Sequence, residues 1–148
     1  MIMKSRQGLG LLTLTMLLLG CSSGTSVSSA KIPSPVITRV ADSRIPYPAA
    51  LVTGRLALHD GCLMIGTGVV FWPAGTSWDD GRREVVFRAD FRGSPNASVD
   101  SSFTGGGGLF DGNDDLSGVL SADAEAVLRE CLSKTGATHA LLIYPGKP

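Results

Sequence analysis

Several things are scarce in this chain of 148 residues, and each scarcity excludes something. Net charge is missing altogether: 13 basic residues balance 13 acidic ones, so nothing draws the whole molecule toward nucleic acid. Aromatic residues make up only 6%, and histidines number two, which leaves few groups for acid–base chemistry near neutral pH. No apolar run is long enough to cross a bilayer, since the longest, Leu9 to Leu19, is about 11 residues against the roughly 20 a spanning helix needs. With 43% apolar residues the chain is still an ordinary globular protein with one modest core. Glycine, in contrast, is plentiful at 19 residues, which favours turns and strands over a helical bundle.

The N-terminus carries the clearest signal. Lys4 and Arg6 precede the apolar run, and small residues follow it, the arrangement of a secretory signal peptide. Its end, Leu18-Leu19-Gly20-Cys21, resembles the lipobox of bacterial lipoproteins. That resemblance implies cleavage after residue 20 and a diacylglycerol on the Cys21 thiol, whose two chains suffice for stable anchoring. It also implies a place in the cell envelope. Ser22 stands where an aspartate would hold such a protein in the inner membrane, so the expected site is the outer membrane, facing the periplasm. Removing residues 1–20 takes away Lys4 and Arg6 and leaves the mature chain slightly acidic.

Residues 22–31, Ser-Ser-Gly-Thr-Ser-Val-Ser-Ser-Ala-Lys, hold nothing large to bury, and Pro33, Pro35, Pro46 and Pro48 follow. Residues 21–49 therefore read as the lipidated N-terminus and a flexible tether. Val36, Ile37 and Val40 offer an edge strand as the alternative.

The folded part, 50–148, begins with alternation: Val52, Gly54, Leu56 and Leu58 on one face, Thr53, Arg55, Ala57 and His59 on the other. Asp60-Gly61 predicts a tight hairpin into Cys62-Leu63-Met64-Ile65. Val69 to Trp72 forms a third strand that Pro73 ends, and Val85, Phe87, Ala89 and Phe91 are the inward side of a fourth. From Gly93 to Gly118 the pattern weakens; Val99 to Phe103 is a short strand and Gly105 to Gly108 a flexible loop. Ser121 caps one helix whose apolar face is Ala124, Val127, Leu128, Cys131 and Leu132, with Gly136 to close it. His139 to Tyr144 is the last strand. The expected class is α+β and mainly β: a small antiparallel sheet or partly open barrel with one helix before the last strand. An OB-like barrel is one form of this, although that fold places its helix between its third and fourth strands.

From Gly54 to Tyr144 the chain resembles a recurrent type of small bacterial secreted or lipoprotein domain. The likeness is carried by Gly61-Cys62-Leu63, Val70-Phe71-Trp72-Pro73 with Gly75-Thr76, Gly105 to Gly108, and Cys131. It implies no activity.

Candidate chemistry is sparse. His59 and His139, each with an Asp, would suit a small hydrolase or lyase, but neither sits in a known catalytic motif. Asp111, Asn113 and Asp115 alternate as calcium ligands do, yet Leu116 and Ala122 stand where an EF-hand needs glycine and glutamate. Arg82, Arg83, Arg88 and Arg92 form a basic strip near Trp72 and Trp78 that would suit an anionic envelope polymer. No cofactor is implied. With Cys21 lipidated, Cys62 and Cys131 remain in an oxidising compartment, both inward-facing, and are expected to pair. The overall expectation is a lipid-anchored, non-catalytic binding or accessory module for a protein partner or envelope polymer.

Overall fold

The computed structural model describes residues 34–41, 50–88 and 96–145. Cys21 and Arg92 lie outside these residues. Nine strands and one helix run in the order β1 (Ile37–Thr38), β2 (Ala50–His59), β3 (Cys62–Ile65), β4 (Gly68–Trp72), β5 (Ser77–Asp79), β6 (Glu84–Val86), β7 (Ala97–Ser98), β8 (Ser102–Asp111), α1 (Ala122–Thr135) and β9 (His139–Pro145).

Five of the strands close on themselves. β2 pairs with β3, β3 with β4, β4 with β9, β9 with β8, and β8 with β2. All of these pairings are antiparallel except β4–β9, which is parallel. Counted within the barrel alone, the order is first, second, third, fifth, fourth, and back to first. That is the strand order of an OB-type barrel. Two features depart from that fold: the helix follows the fourth barrel strand, and a three-stranded sheet, β5-β6-β7, occupies the connection between the third and fourth.

The local signals explain several elements directly. Asp60 and Gly61 both have positive φ, as the hairpin between β2 and β3 requires. The Ser121 hydroxyl accepts a hydrogen bond from Ala124 N at 3.2 Å, and Gly136 closes the helix in the left-handed conformation.

Alternation along the strands splits the core into two layers. Leu56, Leu63, Ile65, Val70, Trp72, Leu141 and Ile143 fill the barrel, with Val85, Phe87 and Phe103 at its end. Cys62, Val69, Phe71, Ala140 and Leu142 point outward and meet Leu128, Cys131 and Leu132 of α1. The helix lies across this outer face, and the Cys62–Cys131 disulfide joins it to β3 with the Cα atoms 5.6 Å apart. Both cysteines are fully buried.

Three expectations change. Residues 34–41 are not free tether. Ile37–Thr38 pairs in parallel with Phe71–Trp72, on the edge of β4 that β3 leaves open, and Arg39 bridges to Leu120. The fourth predicted strand ends at Val86, and Ala89 to Phe91 fall outside the described residues. The largest correction is Gly105 to Gly108, which form the middle of β8 and pair with both β2 and β9. A β-carbon on Gly105 would stand 2.4 Å from the Tyr144 carbonyl oxygen, and one on Gly107 2.3 Å from that of Leu142. The glycines are there because neighbouring backbone leaves no room for side chains.

Two outcomes follow. Gly107→Ala is expected to destabilise the domain by about 2 kcal/mol or more, whereas Gly118→Ala, with open space around it, should be near neutral. Urea midpoints of the two variants decide it. The disulfide closes a separation of 69 residues, so reduction should cost about 4 kcal/mol. Two reactive thiols from Cys62 and Cys131 in the unfolded, unreduced protein would refute the bridge.

Candidate binding surfaces

OB-type barrels bind ligands on the outer face of their second and third strands. Here those strands are β3 and β4, and that face is sealed. Cys62, Val69 and Phe71 lie under α1, and the Phe110 ring packs on Phe71 with centroids 5.5 Å apart. The surface is apolar and stapled shut, so a ligand must bind elsewhere.

The three described arginines of the strip, Arg82, Arg83 and Arg88, are not gathered on one strand face. Arg82 and Arg83 sit in the turn between β5 and β6. Arg82 Nε lies 3.8 Å from Asp79 Oδ2, and its backbone N–H donates to the same carboxylate. Arg83 adopts positive φ there. Arg88 lies beyond the end of β6, its aliphatic stem covering Gly75 where a β-carbon would otherwise go. Glu84, between them, accepts hydrogen bonds from Asn96 and Ser98. Among the described residues of the strip the positive charge is dispersed, and Asp79 pairs with Arg82.

Of the two histidines, His59 lines a groove of about 330 Å³ between β3 and the C-terminal end of α1, with Asp60, Thr67, Lys134 and Thr135. His139 Nε2 lies 3.4 Å from the Thr67 hydroxyl, and its Nδ1 3.2 Å from that of Thr138. Among the described residues neither histidine is hydrogen-bonded to a carboxylate. Asp60 is spent on the hairpin turn. The acid–base pair that a hydrolase or lyase needs is not assembled here.

At Asp111–Asp115 the oxygens turn inward on their own loop. Asp111 Oδ1 accepts from Asn113 N, Asp114 Oδ2 from Asp111 N, and Asp115 Oδ1 from Ser117 N. The backbone N–H of Ser117, then its hydroxyl, holds the Asp115 carboxyl below its usual range. A cation does organise this loop, but it belongs to the protein. The Arg129 guanidinium donates to the carbonyls of Gly112 and Asp114 and to Glu125, four residues earlier on the helix. No group of three or more His, Cys, Asp or Glu residues suited to a metal occurs among the described residues. The Glu125/Arg129 spacing was readable in the sequence; the reach to the loop was not.

A second groove, of about 570 Å³, was not expected. It lies along the first half of β2, with Val52, Ile65 and Leu141 in its wall and Leu51 and Leu109 standing 61% and 66% exposed at its rim. Among the described residues the exposed large apolar side chains are Val40, Leu51 and Leu109, and two of the three stand at this groove.

No protein-family model, curated protein or solved structure matches this chain. Among the described residues no helix is long and apolar enough to cross a membrane.

Asp115 gives a pH dependence of defined sign. Its carboxyl is depressed in the folded state, so it stabilises the fold at neutral pH and that contribution is lost as pH falls through the folded value. Asp115→Asn should therefore flatten the acid limb of a stability-versus-pH curve, read as urea midpoints from pH 7 to pH 2. An acid limb as steep as that of the parent would assign the loop's rigidity to Arg129 alone.

Proposed function

We propose that this chain is a lipid-anchored cell-envelope protein, a non-catalytic module that docks a protein partner at the outer membrane, on its periplasmic side. The anchor rests on Leu18-Leu19-Gly20-Cys21 behind a short apolar run, with Ser22 after the cysteine. One observation carries the docking role: the groove along β2, rimmed by two exposed leucines, lies open while the usual ligand face of the barrel is filled by α1. A covered barrel face, dispersed arginines and, among the described residues, histidines without a carboxylate partner favour that groove for an apolar protein contact.

Docking of β1 onto β4 shortens the link between anchor and domain. Only residues 22–33 separate Cys21 from the start of the described fold at Ser34. A chain of that length reaches at most about 47 Å fully extended. The module is thus held close to its membrane and meets partners that come near the same surface.

Replacing Cys21 with Ala should leave the precursor uncut or release the protein from membranes, and mass spectrometry of the parent should find a lipidated N-terminal cysteine. An unmodified Cys21 within a longer chain would sink the anchor. For docking, envelopes solubilised in mild detergent are cross-linked to the intact protein and to a Leu51→Asp/Leu109→Asp variant. A co-purifying protein lost only from the variant supports the reading; identical captures from both refute it.

A further inference from the structure

The groove has a backbone feature that says more about its occupant. β2 is divided between two neighbours: Ala50–Arg55 pairs with β8, and Leu56–His59 with β3. Leu56 N donates to Ser101 O and Leu56 O accepts from Asp100 N, so Leu56 turns its polar groups toward the β8 side. By strand alternation Val52 and Gly54 do the same, and Leu51, Thr53 and Arg55 aim theirs at the opposite edge. Among the described residues no strand pairs with that edge over 50–55. The run Ala50 to Gly54 contains no charge, no proline and no bulge, the devices that normally keep an edge strand from pairing.

We propose that the occupant is a second copy of this chain, added antiparallel along β2 about a two-fold axis through Thr53. The inference rests on the docking surface proposed above and names what fills it. The register is self-complementary. Thr53 faces Thr53 of the other copy, Val52 faces its Gly54, and Leu51 faces its Arg55, so that no like charges are opposed. Arg55 is available for this contact, because its ion pair with Asp100 is long, 3.7 Å, and largely exposed. Its aliphatic stem covers the leucine. A membrane tether adds effective concentration to a contact this small.

The test uses the full mature protein, purified in detergent micelles and reconstituted in phosphatidylethanolamine/phosphatidylglycerol vesicles. Paired antiparallel positions stand about 5.5 Å apart, within disulfide range. Thr53→Cys adds a free thiol and should form a covalent dimer under mild oxidation, well above the level given by Ser117→Cys on the far loop. The charge of residue 51 is the sharper readout. In sedimentation, Leu51→Lys, placed against Arg55 of the other copy, should weaken dimerisation about tenfold, whereas Leu51→Glu should preserve or tighten it. Equal weakening by the two, or no Thr53→Cys dimer above the Ser117→Cys background, overturns the proposal. A monomeric protein that still captures another envelope protein through Leu51 and Leu109 would overturn this inference alone. A dimer of an unlipidated chain would instead overturn the anchor and leave the pairing standing.

Discussion

The structure depends on burying both faces of one short strand. Every residue of β4, Gly68 to Trp72, is buried, with Val70 and Trp72 inside the barrel and Val69 and Phe71 outside it. A strand covered on both sides must have layers on both sides. The inner layer exists only if the sheet curls shut, which the parallel β4–β9 pairing accomplishes. The outer layer exists only if something lies across β3, β4 and β9, and that something is α1. Burial at this density has a cost: the Trp72 indole N–H is buried with no hydrogen-bond partner among the described residues, a loss of about 1–3 kcal/mol. The ring's contacts with Phe103, edge-on at 5.8 Å, and with Phe87 offset part of it.

Covering the outer face decides what the barrel can do. The strands that would carry a ligand in a barrel of this order are used as the helix's packing surface, and the disulfide fixes that use covalently. The same preference for internal partners recurs at 111–117. There an acidic loop of the kind that invites a cation receives one from the helix, as Arg129. Both places that looked most like binding sites by fold or by composition are satisfied from within the chain. The proposed contact lies instead on a surface that the described strands leave incomplete.

The sequence showed what is decided locally. Asp60-Gly61 needs only its own backbone to make a turn, and Ser121 with Gly136 needs only the ends of its own helix. The cysteine pair followed from elimination and from two independent inward faces, and the mainly β class with its helix before the last strand followed from periodicity. Features set by a neighbouring strand stayed hidden. Four glycines in a row have no local reason to be a strand, and they read as a loop; what requires glycine at Gly105 and Gly107 is the carbonyls of Tyr144 and Leu142, far off in sequence. The expected fourth strand failed for the opposite reason. Val85 and Phe87 are buried as alternation demands, but pairing ends at Val86, and a period of two does not reveal where partners stop. The placement of the helix argued against an OB order, yet the order arises from pairings, and those tolerate a helix in either connection.

The open groove is a consequence of the same closure. β2 has ten residues and β3 has four, and antiparallel neighbours of unequal length cannot match along their whole extent. β3 ends at Ile65, opposite Leu56, because the chain must turn at Gly66–Thr67 to deliver β4 into the centre of the core. Among the described residues the first half of β2 is held from one side alone, by β8, and β8 can follow it closely because Gly105 and Gly107 present no side chains to the barrel. Shortening β3 serves the buried strand; the glycines let β8 follow the bend; and an edge that no described strand pairs, with Leu51 on it and Leu109 of β8 across the groove, is what remains. A longer β3 would close that edge and delay β4, so the contact surface and the core are set by one choice of strand length.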